Sequence, residues 1–276
     1  MRFIKSVSWL HEQLKDENIK VVDCRFALSD PEYGKNAYLE GHIPGAVFFD
    51  LEEDLSSPVS VHGGRHPLPE VDVFTEKLSK VGITQETTVI AYDDGEGSYA
   101  GRFWWLLSYL GHGNVYILNE GYKAWKEAGH VVTVEIPTYD YVEFVPSIID
   151  EMLASFEQVK NHNGILIDSR AKERYLGLVE PLDKRAGHIP GAINIVWTEG
   201  FKNGTWKDIE SQKERFSNLD KEEDIIVYCG SGVTATPNIL ALKACGFKNV
   251  KLYAGSYSDW VSYDENPVET GENPKV

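Results

Sequence analysis

The segment DIIVYCGSGVTATPNILALKACG, residues 224–246, predicts a strand, a short loop and a helix in immediate succession. Its residues 225–227 are isoleucine and valine, typical of a strand that is covered on both faces in a parallel sheet. The helix that follows has proline in its first turn, an apolar stripe and a glycine at its end. We expect Thr234 or Thr236 to cap this helix. Cys229 therefore stands at the end of the strand, directly before the loop.

The loop after Cys229 has the composition of an anion-binding loop. Gly230 and Gly232 allow backbone N–H groups to turn toward a common centre, and the helix N-terminus adds a favourable dipole. We expect these glycines, with Val233 and Thr234, to surround the bound anion. A thiol in this environment is favoured as the thiolate, the nucleophilic form of cysteine. The alternative is that Cys229 is a buried and inert cysteine, but this would leave the glycine-containing composition of the loop unexplained.

Composition limits the remaining possibilities. The chain has 276 residues, 42% of them hydrophobic and 12% aromatic, and a formal net charge of −16. This describes a folded globular protein with room for two domains. The acidic balance gives no electrostatic footprint for nucleic acid or an anionic membrane, and no apolar stretch is long enough to span a bilayer. Charged residues interrupt the N-terminal 20 residues, so we expect a helix rather than a targeting segment and a cytoplasmic protein.

The three cysteines have no paired spacing. An odd number without a repeated interval argues against a disulfide scaffold and offers no zinc site. We therefore expect Cys24 and Cys245 to be core residues, and we expect no bound metal.

The sequence states nearly the same pattern twice. VVDCR at 21–25 returns as LIDSR at 166–170, GHIPGA occurs at 41–46 and again at 187–192, and residues 88–125 parallel 224–260. A repeat this long indicates a duplicated domain. Short apolar strands alternate with helical stretches in each half, which predicts an α/β fold with an open parallel sheet flanked by helices in each domain. We expect a first domain at 1–137, an extended linker at 138–150 and a second domain at 151–276.

The duplication separates what the fold needs from what the function needs. His42 and His188 occur in both GHIPGA segments, so we expect structural roles for them. Cys229 has no cysteine counterpart, because Asp93 takes its place in the first half. A fixed negative charge there opposes thiolate and anion alike, so we expect the first domain to be catalytically silent.

The first half also holds extra residues within 50–72, a segment rich in Gly, Pro and His. A loop present in only one copy is a candidate to reach the site of the other copy. His66 is its candidate for acid–base chemistry, because imidazole titrates near neutral pH. The alternative is a surface histidine.

The duplicated layout, the two GHIPGA turns and the CGSGVTA loop resemble the two-domain rhodanese-like sulfurtransferases over essentially the whole chain. The loop is most similar to that of the 3-mercaptopyruvate sulfurtransferases, since thiosulfate-using members usually place two basic residues where this chain has Gly230 and Ser231. The resemblance implies a proton relay of Ser231, His66 and an acid, here Glu52, and a substrate-gripping arginine at Arg174. It also implies that neither a metal nor a cofactor is needed.

Two positions depart from that pattern. Mercaptopyruvate enzymes usually carry a second arginine after a Glu-Pro pair, and this chain has Leu182 there. Arg185 is a candidate to replace it, although a surface arginine is the alternative. Glu52 is one methylene longer than the aspartate usual in the family.

We therefore predict a sulfurtransferase that moves a sulfane sulfur from 3-mercaptopyruvate through a Cys229 persulfide to a thiol, cyanide or thioredoxin-like acceptor. Two alternatives stay open: a thiosulfate sulfurtransferase, and a persulfide carrier or sensor without turnover. A cysteine phosphatase is disfavoured, because Ala235 stands where that class needs a phosphate-binding arginine.

Overall fold

The computed structural model describes residues 1–95 and 97–272. Its strands are β1 Ile4–Lys5, β2 Ile19–Asp23, β3 Ala46–Phe48, β4 Thr88–Tyr92, β5 Val115–Leu118, β6 Ile165–Asp168, β7 Ile193–Asn194, β8 Phe201–Lys202, β9 Thr205–Trp206, β10 Ile225–Tyr228 and β11 Val250–Leu252. Its α-helices are α1 Val7–Gln13, α2 Tyr33–Glu40, α3 Val71–Lys80, α4 Ser98–Tyr109, α5 Gly121–Glu127, α6 Phe156–Lys160, α7 Lys172–Tyr175, α8 Ile209–Arg215, α9 Thr236–Ala244 and α10 Ser256–Trp260.

The chain folds into two compact units. Unit 1 comprises Met1–Ser57, Pro69–Ile149 and Phe201–Trp206. Unit 2 comprises Pro58–Leu68, Asp150–Gly200 and the chain from Lys207 onward. Each unit thus includes one short segment from the other half of the sequence. Residues 138–149, part of the predicted linker, pack with unit 1, where Val142 N–H donates to the carbonyl oxygen of Ser79.

Unit 1 contains a parallel sheet in the order β1-β5-β4-β2-β3. In the central strand β4, residues 89–92 are buried, as expected for a strand covered on both faces. The antiparallel hairpin of β8 and β9 packs with this unit, and Trp206 N–H donates to Asn119 Oδ1 at 3.1 Å.

Unit 2 contains a parallel sheet in the order β11-β10-β6-β7. All residues of β10 are buried, so the run of β-branched residues forms the predicted central strand. The predicted α/β class, with an open parallel sheet flanked by helices in each half, is confirmed. Among the helices of the described residues, none is long and apolar enough to cross a membrane.

An aspartate–arginine pair closes the carboxyl end of one strand in each unit. In unit 1, Arg25 Nη2 donates to Asp23 at 2.6 Å and to the carbonyl oxygen that opens the first GHIPGA segment at 2.8 Å. In unit 2, Arg170 Nη2 donates to Asp168 and to the corresponding carbonyl of the second segment, both at 2.6 Å. The two aspartates therefore anchor the turns that the sequence repeats.

The GHIPGA histidines make the same Nδ1 contact and the same ring contact in both units. His42 Nδ1 lies 2.7 Å from the carbonyl oxygen of Tyr38, and the two rings stack with centroids 3.9 Å apart. His188 has the same two distances to Tyr175. These shared contacts in both units support a structural role for both histidines.

The start of α9 differs from the prediction. Neither Thr234 nor Thr236 caps the helix: Ala235 is the N-cap residue and makes no side-chain bond. Thr236 instead donates from both its hydroxyl and its N–H to the carbonyl oxygen of Val233, at 2.8 and 3.1 Å. A tight turn thus replaces the side-chain cap. Gly246, with a φ of +90°, follows the helix as predicted.

Candidate active site

Cys229 follows β10 directly, and only 1% of it is exposed. Its N–H donates to Ser256 Oγ at 3.1 Å, and its carbonyl oxygen accepts from Tyr257 N–H at 3.0 Å. The carbonyl oxygen of Gly230 accepts from Ser258 N–H at 3.0 Å. These bonds to the first turn of α10 fix the direction in which the loop leaves the strand.

Ser256 has a left-handed backbone with a φ of +56°, and it is fully buried. The duplication places Gly121, with a φ of +62°, at the corresponding position of unit 1. A side chain in this conformation costs about 1–2 kcal/mol. The Ser256 hydroxyl accounts for the serine, because it accepts from Cys229 N–H and donates to the carbonyl oxygen of Tyr253.

We expect Ser256→Gly and Ser256→Ala to lower turnover by a similar factor, about tenfold, because both remove the acceptor of Cys229 N–H. Stability should separate them: alanine keeps the left-handed strain, so its variant should be less stable than the glycine variant by about 1–2 kcal/mol. Steady-state rates and thermal unfolding measure the two effects. Full activity of Ser256→Gly would mean that the hydroxyl does not position Cys229.

The two glycines of the loop serve different purposes. Gly232 has a φ of +75°, and a Cβ there would collide with the carbonyl oxygen of Ala254. Gly230 does not have a positive φ, which differs from the expectation that both glycines turn the backbone. A Cβ at Gly230 would instead lie 2.8 Å from Arg65 Nη2 and 3.5 Å from Arg174 Nη1. Gly230 therefore leaves room for two guanidinium groups beside Cys229.

His66 and Ser231 form a buried pair. His66 Nδ1 lies 2.7 Å from Ser231 Oγ. This distance lets a proton pass between the hydroxyl and the imidazole. The structure thus brings together the histidine of the extra loop and the serine two residues after Cys229.

Residues 58–68, which carry His66, are held on unit 2 by bonds from their own backbone. Gly63 N–H donates to Asp259 Oδ1 at 2.7 Å, and Arg65 N–H donates to Ser258 Oγ at 3.1 Å. Both acceptors belong to α10, the helix that also binds the backbone of Cys229 and Gly230. One short helix therefore sets the position of Cys229 and of the His66 segment.

Arg174, on α7, belongs to a buried network of charges. Its Nε and Nη2 donate to Glu180 at 3.1 and 2.7 Å, and Nη2 also donates to Asp183 at 2.9 Å. Glu180 accepts in addition from Arg170 Nη1, and Asp183 forms an ion pair with Arg65. Although burial raises the pKa of Glu180, the bond from Arg174 and backbone N–H donors outweigh it and lower that pKa. The carboxylates thereby hold Arg174 and Arg65 in place.

Sequence reasoning missed Arg65, Glu180 and Asp183. A signal for Arg65 is present in GGRHPLP, because the residue before a catalytic candidate on a short loop reaches the same site. A signal for Glu180 is also present, because it is the glutamate of the Glu-Pro pair that precedes Leu182.

Arg185 does not join these side chains. It donates from Nη1 to the carbonyl oxygen of Asn266 at 2.8 Å and from Nη2 to that of Tyr263 at 3.1 Å. Its guanidinium therefore ties two parts of the backbone of unit 2 together. These contacts do not support the suggestion that Arg185 replaces the arginine absent at Leu182, which stays a prediction.

The remaining candidates have less specific surroundings. Glu52 belongs to unit 1, where its side chain is exposed and its N–H donates to Asp50 Oδ1 at 2.7 Å. Its part in the relay stays a prediction. Val233 is buried and Thr234 half-buried in the loop. In residues 1–95 and 97–272, no three His, Cys, Asp or Glu side chains are grouped to hold a metal ion.

In unit 1, the loop that corresponds to the Cys229 loop surrounds a carboxylate of its own. Asp93 stands at the position of Cys229, and its carboxylate accepts from four backbone N–H groups, those of Gly95, Gly97, Tyr99 and Ala100, at 2.9 to 3.2 Å. Burial raises the pKa of Asp93, and these N–H donors lower it in part. The loop after β4 is thus an anion cradle filled by its own side chain.

Similarity to known proteins extends over nearly the whole chain. A family model described as the rhodanese-like domain matches residues 6–128 and 149–263. The probable 3-mercaptopyruvate sulfurtransferase of Pseudomonas aeruginosa is 42% identical over 95% of this chain and 96% of that protein. The thiosulfate sulfurtransferase of Mus musculus is 33% identical over 98% of this chain and 94% of that protein.

A solved structure gives the same result at the level of the fold. The crystal structure of SseA from Escherichia coli, described with the rhodanese fold of 3-mercaptopyruvate sulfotransferases, matches with a TM-score of 0.82 and 34% identity. The match covers 93% of this chain and 99% of that one.

Proposed function

This chain belongs to the rhodanese-like domain family, and from that premise we propose that it is a 3-mercaptopyruvate sulfurtransferase. The observation that carries the proposal is the 2.7 Å contact between Oγ of Ser231, which lies on the loop of Cys229, and Nδ1 of His66. Cleavage of the carbon–sulfur bond of 3-mercaptopyruvate leaves the enolate of pyruvate, which needs a proton. Ser231, which stands where thiosulfate-using members carry a basic residue, supplies one together with His66.

The first half-reaction loads Cys229. Its thiolate attacks the donor sulfur, a sulfur–sulfur bond forms, and the carbon–sulfur bond breaks to leave pyruvate enolate. Ser231 donates a proton to the enolate carbon, and the proton of the donor thiol restores the relay through His66. The products are pyruvate and the Cys229 persulfide anion, which loop N–H groups stabilise.

The second half-reaction empties Cys229. A thiol takes the outer sulfur as a new persulfide, or cyanide takes it as thiocyanate, and the Cys229 thiolate returns. A small thiol or a reduced thioredoxin-like protein is the proposed acceptor in the cell. The cytoplasmic location stays a prediction.

The charges around the loop favour a donor with one carboxylate over the thiosulfate dianion. The arginines nearest Gly230 are Arg65 and Arg174, and each is already paired with a buried carboxylate, Asp183 or Glu180. Little uncompensated positive charge is therefore left for sulfite, whose charge grows as the sulfur–sulfur bond breaks.

We expect kcat/KM for 3-mercaptopyruvate to exceed that for thiosulfate by at least about tenfold, a difference of about 1.4 kcal/mol in transition-state stabilisation. Pyruvate and sulfite release, measured side by side with the same acceptor, give this ratio. A preference for thiosulfate would reassign the protein as a thiosulfate sulfurtransferase. Sulfur loading of Cys229 without release of either product would indicate a carrier or sensor.

A further inference from the structure

We propose that a groove on unit 2, at the amino ends of strands β6 and β7, binds an extended basic segment of a partner protein and takes a tyrosine of that segment against Gly191. The inference goes beyond the proposed function, because Cys229 follows the carboxyl end of β10 and so lies at the opposite end of the same parallel sheet. The duplicated chain contains the groove twice, and in unit 1 a tyrosine of the chain itself lies in it.

The two grooves are built from corresponding residues. Each is lined by the Pro-Gly turn of its GHIPGA segment and by the start of a sheet strand, β2 in unit 1 and β6 in unit 2. The repeat pairs Lys15 with Lys160 and Val21 with Leu166, and each of these residues lines the groove of its unit. The groove is therefore a feature of the duplicated domain.

In unit 1 the extended residues 139–142 lie along this groove. The Tyr139 hydroxyl donates to the carbonyl oxygen of Gly45 at 2.7 Å, and Lys20 Nζ lies 4.3 Å from the centre of the tyrosine ring. The cavity that remains measures about 480 Å³. A tyrosine suits this place because its ring is apolar while its hydroxyl satisfies a carbonyl at the rim.

In unit 2 the described residues leave the corresponding groove more open. Its cavity measures about 790 Å³, a size typical of ligand-binding clefts. A Cβ added at Gly191 would meet no atom within 4 Å, and none of the described hydrogen bonds ends on the Gly191 carbonyl oxygen. The floor is apolar, with buried Leu166, Ile189 and Trp260. The groove thus offers the same carbonyl that binds Tyr139 in unit 1.

The residue types of the chain favour an occupant from another molecule. In each unit the GHIPGA histidine pairs with an extended segment, at Thr133 in unit 1 and at Glu269 in unit 2. Tyr139 follows Thr133 by six residues, and the residue at the same spacing after Glu269 is Lys275, which lies outside the described residues. Lysine has no ring to place in the groove.

The surroundings of the unit 2 groove are acidic. A second cavity, of about 840 Å³, shares residues 162–164 with it. The charged groups in the described lining of this second cavity are those of Glu157, Asp220, Glu222, Glu223, Asp224 and Lys251. Although Glu222 also pairs with Lys248, the balance is negative. Because complementary charge steers association and selects partners, lysine or arginine beside the tyrosine is favoured in the occupant.

A fluorescein-labelled peptide, KIPTYKYVKF, is a direct probe of the groove. It repeats residues 135–144 with lysine in place of Glu135, Asp140 and Glu143. Fluorescence anisotropy with the whole protein should give a Kd below about 100 µM. Alanine in place of the first tyrosine should weaken binding at least about tenfold, and phenylalanine less, because it loses only the hydroxyl. The acidic parent peptide should bind more weakly, and salt should reduce that difference.

Two tryptophan variants locate the binding site. Asn218 is exposed and lines the groove, so Asn218→Trp should obstruct it and raise the Kd at least about tenfold. Ser217→Trp is the matched control: it adds the same side chain at the neighbouring exposed position, which does not line the cavity, and the Kd should change less than about twofold. Cys229→Ser should bind the peptide like the unaltered protein, so this result does not depend on sulfur transfer.

Four results would overturn the inference. They are failure of the peptide to bind, equal binding of its alanine variant, equal effects of the two tryptophans, and at least tenfold tighter binding by a protein that ends at Glu272. The last would make residues 273–276 the occupant in place of a partner. A dimer that Asn218→Trp breaks and Ser217→Trp leaves intact would likewise replace the partner with a second copy of the chain.

Discussion

Replacing Cys229 with serine is expected to abolish sulfur transfer, with a loss of at least about ten-thousandfold, because the hydroxyl is a poor nucleophile that cannot hold a sulfane sulfur. The substitution changes one atom in a loop fixed by backbone bonds, so the fold should be unaffected. Intact-protein mass spectrometry after incubation with 3-mercaptopyruvate should show one added sulfur atom on the unaltered protein and none on Cys229→Ser.

The other two cysteines provide the control. Burial, with a smaller contribution from the Asp23 carboxylate, raises the pKa of Cys24 well above its usual value, and burial also raises that of Cys245. Both thiols are therefore protonated and unreactive at neutral pH. Cys24→Ala and Cys245→Ala should load one sulfur like the parent protein. If either variant, correctly folded, failed to load, sulfur would not be carried by Cys229 alone.

The sequence predicted secondary structure best where the local residue pattern and the tertiary environment favour the same element. The isoleucine and valine run before Cys229 could only be buried in a central strand, and β10 is that strand. Helix capping was less predictable, because a threonine hydroxyl can donate to a nearby carbonyl as readily as it can cap. Thr236 does the former, bonding to Val233. A capping threonine and one that donates to a nearby carbonyl differ only in a local turn, and the hydrophobic pattern of the sequence does not distinguish them.

The site was predictable as far as the chain supplies it locally. Ser231 follows Cys229 within the loop, and Arg174 lies in a recognisable segment. The second cation was sought near Leu182, at Arg185, because sequence proximity was the only guide. The structure instead places the guanidinium of Arg65 beside Gly230, and its partner Asp183 is 118 residues away in the chain. Side chains delivered by a distant loop depend on docking contacts, and these become visible only in the folded chain.

Because the chain is duplicated, corresponding positions of its two halves can be compared in the sequence and in the structure. Asp93 was expected to oppose an anion, and the backbone N–H groups that its carboxylate occupies support that expectation. The comparison of Gly121 with Ser256 starts from the structure: similar φ values, +62° and +56°, with different residues identify a strained serine beside the Cys229 loop. The silence of unit 1 stays a proposal, supported by the occupied cradle.

Ser231→Ala is expected to lower kcat for 3-mercaptopyruvate by about 10²- to 10⁴-fold while its KM changes little, because the enolate loses its proton donor but Arg174, the proposed carboxylate-binding residue, is unaltered. The fold should tolerate the change, since it removes only the Ser231 hydroxyl, which contacts His66, and leaves the loop backbone unaltered. Steady-state pyruvate release gives both constants. His66→Gln should cost a similar factor, because the hydroxyl and the imidazole act as one relay.

The effect of Ser231→Ala should depend on which sulfur donor is used. Sulfite leaves thiosulfate with its electron pair and needs no proton on carbon, so the residual thiosulfate activity should fall much less than the mercaptopyruvate activity in Ser231→Ala. The double variant with His66→Gln should be scarcely slower than either single one, since a relay broken once cannot be broken again. Equal losses with both donors would instead place the action of Ser231 on Cys229 itself, and additive losses would separate Ser231 from His66.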